Sequence, residues 1–133
     1  MVERISVTPA NVNDGRAGPA ALPDDPGEVF ADRAYRGSHF GSAVRAKGGT
    51  PRIVTHSVWA RTQEEAEVWL RVWNQPIHRV RGRIEKIFGT WKRSYGLRRM
   101  RWRGIAKATA QVHLTALAYN LKRTLSIVNA AAA

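Results

Sequence analysis

The chain has 133 residues, enough for one domain with a buried core, and its 44% hydrophobic content excludes a disordered composition. No cysteine is present, which excludes a disulfide framework and a thiolate metal site; no signal peptide and no apolar run of the roughly 18–20 residues of a membrane span is visible, so a soluble cytoplasmic protein without a membrane partner is expected. The formal charge of +12 favours a polyanionic partner, nucleic acid first.

Residues 3–8 alternate polar and apolar and predict a strand ended by Pro9. Asn11 to Ala21 reads as a turn or short helix, and Pro23-Asp-Asp-Pro-Gly27 as a turn. Glu28 to Asp32 predicts a second short strand, Ser38 to Lys47 a helix stopped by Gly48-Gly49, and Pro51 to Thr55 a third strand. Strand, helix, strand in this order is an α/β pattern with crossover connections.

After His56 the pattern turns helical. Thr62-x-x-Glu65 is a capping box opening a helix that carries Val68, Trp69, Val72 and Trp73. Asn74-Gln75-Pro76 predicts a break, with Pro76 opening the next helix, which runs to about Tyr95-Gly96. A basic loop, Leu97 to Gly104, leads to a last helix of about Ile105 to Val128. That helix is apolar over much of its circumference and is expected to pack deep. The chain thus reads as one partial domain, 1–133, with a strand/helix part at 1–56 and a helical part at 57–128.

Charge is unevenly placed. All ten acids lie at or before Glu85, and ten of the 22 basic residues follow it, among them Arg98, Arg99, Arg101 and Arg103. Such a one-sided field points to phosphates.

On a helical wheel from Pro76 to Tyr95, with His78 at zero, Arg81 falls near 300°, Glu85 near 340° and Lys92 near 320°, at about 100° per residue. Ile77, Val80, Ile84, Ile87, Phe88 and Trp91 form the neighbouring apolar stripe, expected to pack on a core. Arg79, Arg83 and Lys86 take the remaining side. A carboxylate among cations suits phosphate chemistry, in which an acid holds a divalent metal and cations grip the backbone. From spacing alone, an i,i+4 ion pair between Arg81 and Glu85 on an ordinary amphipathic helix accounts for the same pattern. Asp32 sits at the C-terminal end of a predicted strand, where ligands of α/β sheets gather. Its other reading is a loop aspartate capping the next turn.

These segments resemble a known family. Glu28-Val-Phe-Ala-Asp32-Arg-Ala-Tyr35-Arg-Gly37 resembles the second-aspartate segment of DDE transposases of the insertion-sequence IS-four/IS-five group. His78-x-x-Arg81-x-x-x-Glu85-x-x-x-x-x-x-Lys92 resembles their third-acid signature, with His78 in place of Tyr. Thr8-Pro-Ala-Asn-Val-Asn-Asp14 and the closing segment Leu114 to Arg123 are similar to theirs as well, so the resemblance covers about Arg4 to Val128.

The resemblance implies an incomplete RNase H-like α/β fold, lacking its first strands and followed by long C-terminal helices, and two-metal phosphoryl transfer with Mg²⁺ or Mn²⁺. Asp32 and Glu85 become catalytic metal ligands. Arg81, Lys92 and His78, with Arg79, Arg83 and the loop arginines Arg98, Arg99, Arg101 and Arg103, become contacts to transposon-end DNA. The family's first aspartate has no match by motif. Glu3 and Asp14 are the upstream carboxylates, neither at a signature position. A C-terminal transposase fragment, inactive alone and paired with an upstream half or an intact transposase, is therefore expected, with a homo-oligomer as a further partner form and the bacterial nucleoid as its setting.

A second reading is a catalytically dead DNA-binding remnant that interferes with intact transposase. A third, a module for structured RNA, lacks an aromatic platform on strands. Trp69, Trp73 and Trp91 have core spacing, while Trp102, between Arg101 and Arg103, can stack on a base.

Overall fold

The computed structural model describes residues 1–132. In chain order they form α1 (Asp14–Ala17), a 3₁₀ turn (Gly18–Ala21), β1 (Glu28–Ala31), a second 3₁₀ turn (Arg33–Tyr35), α2 (Ser38–Ala46), β2 (Thr50–Ile53), α3 (Gln63–Ser94) and α4 (Ile105–Ala131). Two compact units result: Ala10–Glu85, and Met1–Pro9 with Lys86–Ala133; α3 runs through both. Among the described residues no helix is long and apolar enough to cross a membrane.

The first unit, Ala10–Glu85, holds the sheet. β1 and β2 pair in parallel, Glu28 opposite Thr50 and Ala31 opposite Ile53, joined through α2 as a crossover requires. Alternation sends Val29, Ala31 and Ile53 to one face. There they meet Phe40 and Val44, one turn apart on α2, and Leu22, with Tyr35 and Ala43 at the margin. Thr50 N and Val54 N donate to Gly27 O and Ala31 O, so the even-numbered amides of β2 face β1. Pro51, which has no amide hydrogen, turns its nitrogen to the unpaired side, the position a strand proline tolerates. Gly18 is needed for space: a Cβ there would lie 2.7 Å from both Phe40 and Tyr35 ring atoms.

The other sheet face carries Glu28 and Arg52, which pair at 2.8 Å, and Arg52 lies 5.2 Å from the Trp73 ring centroid. α3 begins as its capping box predicts, with Glu65 N donating to Thr62 Oγ1 at 3.2 Å. The return bond is shifted by one residue: Glu65 Oε2 accepts from Arg61 N rather than from Thr62 N.

Four expectations are corrected. The predicted break at Pro76 does not occur, and α3 is continuous from Gln63 to Ser94 with Pro76 inside it. A proline there removes one helical hydrogen bond and costs about 3 kcal/mol. Tertiary bonds just before it hold the helix in place. Trp73 Nε1 donates to Ile53 O at 3.0 Å, and Asn74 exchanges two bonds with the backbone of Thr55, at 2.7 and 3.1 Å.

Residues 3–8 keep the expected alternation, with Ile5 and Val7 half-buried and Ser6 and Thr8 exposed, but form no strand. A strand needs a ladder partner, and the sheet of the described residues consists of β1 and β2 without this segment. Just before it, the Asn120 side chain on α4 accepts from Val2 N at 2.9 Å and donates to Val2 O at 2.6 Å.

The third correction concerns α4. Only Gln111, Thr115 and Ala116 are buried, and Leu114, Leu117, Leu121 and Leu125 stand 57–62% exposed. The helix is apolar around more of its circumference than the rest of its unit, the N-terminal segment and the end of α3, can cover.

The apolar stripe of α3, finally, is covered in part. Ile77 and Trp91 are buried, whereas Ile84 and Phe88 are about half exposed. Of the tryptophans placed in the core by spacing, Trp91 is buried, Trp73 is half-buried, and Trp69 is exposed, stacked on Trp73 at 5.3 Å between centroids. An i,i+4 partner on the same helix covers one face of the Trp69 ring without taking it into the core.

Candidate functional site: the Asp32–Arg81 pair and the basic faces

Asp32 follows β1 directly and is the N-cap of the turn Arg33–Tyr35, its Oδ1 accepting from Arg33 N. That capping role is real. It occupies one carboxylate oxygen only. The other, Oδ2, takes Arg81 Nη2 of α3 at 2.8 Å, with Arg81 about three-quarters buried and Asp32 about half exposed. The sequence offered Arg81 a partner one turn along its own helix, Glu85, and the structure gives it Asp32 instead. Strand end and helix are thereby tied by a bond between residues 49 apart in the chain.

Glu85 lies one helical turn after Arg81 on α3. It is exposed and has no hydrogen-bond or ion-pair partner among the described residues. The ion pair therefore fastens the Asp32 loop to the stretch of α3 that leads into Glu85. The Tyr35 hydroxyl, three residues after Asp32, is pushed above the ordinary tyrosine value by burial, and further by the negative charges of Asp14 and Asp32. Asp14, at the start of α1, thus bears on the same tyrosine as Asp32. Among the described residues no group of three or more His, Cys, Asp or Glu side chains is placed to hold a metal ion.

His78 is exposed, one turn before Arg81, and borders an open groove of about 460 Å³ with Thr55, His56, Arg71, Asn74 and Gln75. The groove lining contains one arginine, two histidines and two amides and no acid. Arg79 and Arg83 are exposed on the adjoining side of α3.

The second unit carries the remaining cations. Lys92 is exposed near the end of α3, beside the buried Trp91. Trp91 meets Phe88 and Tyr119 edge-on at 5.4 and 6.3 Å between centroids, and its Nε1 is buried without a partner, so its contribution is packing. The loop that follows is fixed by one side chain. Gln111 on α4 donates to Arg99 O at 3.0 Å and accepts from Arg101 N at 2.9 Å. With the backbone held inward, Arg98, Arg99, Arg101 and Arg103 are all exposed, as is Trp102. Sequence reasoning missed Gln111, Asn74 and Asn120. Each is an amide whose partner lies in a distant backbone segment, and no local pattern marks such a bond.

The arrangement is thus a carboxylate at the end of a parallel strand, ion-paired to a helix that bears a second carboxylate and several cations. Residues 1–121 match the family model of the transposase DDE domain. The chain belongs to that family, and its class of activity is DNA transposition. No match was found among curated proteins or among solved structures.

Proposed function

We propose that the chain is the C-terminal part of the catalytic domain of a DDE transposase of the IS-four/IS-five group, with an RNase H-like core that is completed by a segment carrying the first aspartate. The observation that carries this reading is the Asp32–Arg81 bond, which joins the two segments bearing the second and third acids of the signature. Family membership over residues 1–121 supports it.

Asp32 and Glu85 are hard oxygen donors of the kind Mg²⁺ and Mn²⁺ take, and Oδ2 of Asp32 already faces a cation, the Arg81 guanidinium. By donor type these two acids suit a divalent ion, and a segment carrying the first aspartate would have to complete the ligand set. Such an ion would be held by Asp32 and Glu85 and would activate the attacking oxygen and stabilise the leaving one. The chain's own residues do the rest. Arg81 and His78 grip and orient transposon-end phosphates beside the acids, and Lys92 of the other unit contacts phosphate as well. Arg79, Arg83 and the loop residues Arg98, Arg99, Arg101 and Arg103 neutralise further phosphates. Arg is suited to this because its planar fork meets two phosphate oxygens at once. The turn after Asp32, capped by its own carboxylate, keeps that acid at the strand end.

The test is reconstitution with an upstream segment that carries the first aspartate. Asp32→Asn and Glu85→Gln should each lower strand cleavage by about 10³-fold or more, the scale on which loss of one member of a catalytic unit is felt, with duplex binding retained. Cleavage that survives either substitution contradicts the assignment. Unchanged DNA binding with no cleavage in the reconstituted parent favours the second reading, a binding remnant that occupies transposon ends without cutting them.

A further inference from the structure

We infer that the groove between the exit of β2 and α3 is a seat for DNA backbone, in which Arg71, His56 and His78 take phosphates along one strand. This rests on the reading that the chain works on DNA, and it adds His56 and Arg71 to the residues that hold the duplex.

The groove lies wholly within the Ala10–Glu85 unit. Arg71, Asn74, Gln75 and His78 follow the i, i+3, i+4, i+7 spacing that places side chains on one face of a helix, and that face is one wall. Thr55 and His56, just past β2, form the other. The two walls are locked together. Asn74 donates to Thr55 O at 2.7 Å and accepts from Thr55 N at 3.1 Å, and Thr55 Oγ1 donates to Ser57 O at 3.0 Å. His56 therefore sits on a backbone held at the residues before and after it. A site whose parts are fixed in advance loses little affinity to ordering them.

The lining selects an anion. Arg71, His56 and His78 are exposed and make no hydrogen bond or ion pair among the described residues. Arg81 and Arg52 differ, being paired with Asp32 and Glu28. No acid lines the groove, and Leu70 is the one aliphatic residue there. Arg71 and His78 are seven residues apart, about 10 Å along the helix. That span exceeds one phosphate group and suits successive phosphates of a strand, which favours a polymer backbone over a lone anion. The planar fork of Arg71 meets two phosphate oxygens at once, and each imidazole offers an N–H. Family membership and the net charge of +12 favour DNA over an acidic polypeptide as that polymer.

The experiment compares groove substitutions with matched ones on α2, which packs against the opposite face of the sheet. Every position changed is exposed, so the fold is retained. Affinity of the full chain for a labelled duplex of about 20 base pairs is read by fluorescence anisotropy over a range of salt. Arg71→Gln should weaken binding by about threefold or more and lower the slope of log affinity against log salt by about 0.9, one phosphate contact. Arg45→Gln, with the same loss of charge, should weaken it by less than about 1.5-fold. Gln75→Glu sets a carboxylate between Arg71 and His78 and should weaken binding by about fivefold or more, against less than about twofold for Ser42→Glu. His56→Ala, across the groove, should weaken it by about twofold. Binding of labelled poly-glutamate should respond to the groove variants no more than to the α2 variants.

Groove losses no larger than those on α2 overturn the inference and leave the wider DNA-binding reading intact, since the field alone then accounts for the grip. A groove-specific loss toward poly-glutamate as large as that toward the duplex overturns the assignment to DNA backbone. A chain that binds no duplex at all overturns both this inference and the proposed grip on DNA.

Discussion

The two compact units treat their apolar residues and their charge in opposite ways. Ala10–Glu85 buries a small α/β core, Leu22, Ala31, Phe40 and Val44, and nearly balances its charge, since nine of the ten acids lie in it. The unit of Met1–Pro9 and Lys86–Ala133 has eleven cations against one acid, Glu3, and leaves four leucines of α4 more than half exposed. The first unit thus has the parts that fix a carboxylate in place: strand end, capped turn and ion pair. The second has a field rather than a fixed site, and its arginines are held out by a single amide, Gln111. Placement of an acid to ångström accuracy needs a packed core behind it. Neutralisation of phosphates needs only exposed cations on a backbone that does not collapse.

The sharpest way to break this contrast is at the one well-buried aromatic side chain of the basic unit. Trp91→Ala should cost about 3–5 kcal/mol in chemical denaturation, the usual penalty for emptying a large aromatic site. Leu121→Lys on the exposed side of α4 should change stability by less than about 0.5 kcal/mol, as a surface substitution does. A Leu121 effect approaching that of Trp91 would mean that the α4 face is covered in solution.

Next in size is the salt response. Replacing Arg98, Arg99, Arg101 and Arg103 by Gln, one after another, should reduce the slope of log affinity against log salt by up to about 0.9 for each phosphate no longer neutralised. Gln111→Ala should act in the same direction without removing any charge, because it frees the loop backbone that Gln111 ties down. An unchanged slope after replacement of all four arginines would remove the loop from the DNA interface.

The smallest effect belongs to the α/β unit. Tyr35 has a raised proton affinity in the fold, from burial first and then from Asp14 and Asp32. Its neutral form is favoured by folding. That contribution is complete below the ordinary tyrosine value of about 10 and is lost as pH rises through the higher value of the folded state. Stability measured against pH should therefore decline above about pH 10, and Tyr35→Phe should flatten the decline. An identical alkaline profile in the variant would assign the loss to other groups.

What could be read from the sequence follows the range of the forces involved. β1, α2 and β2 are legible because alternation, a helical face and a Gly-Gly stop are local signals, and the Thr62–Glu65 box marks the start of α3 to within a residue. The continuity of α3 through Pro76 is not legible, because the bonds that override the proline come from Ile53 and Thr55, across the fold. The strand expected at 3–8 keeps its pattern and lacks its ladder, because pairing depends on a partner and not on alternation. The depth of α4 is overestimated because an apolar circumference says what a helix could bury, not what is there to bury it. At the site, the spacing of His78, Arg81, Glu85 and Lys92 exposes the cationic face of α3. It cannot tell that Arg81 chooses Asp32 over Glu85.

If Asp32 and Glu85 are joint ligands of one divalent cation, Mn²⁺ binding followed by electron paramagnetic resonance will report it. The unsubstituted chain should show a site that Asp32→Asn and Glu85→Gln each weaken by at least about tenfold, with little further loss in the double variant, as expected for residues that act as a pair. Mn²⁺ affinity indifferent to either substitution, or two weak sites lost independently, would contradict it.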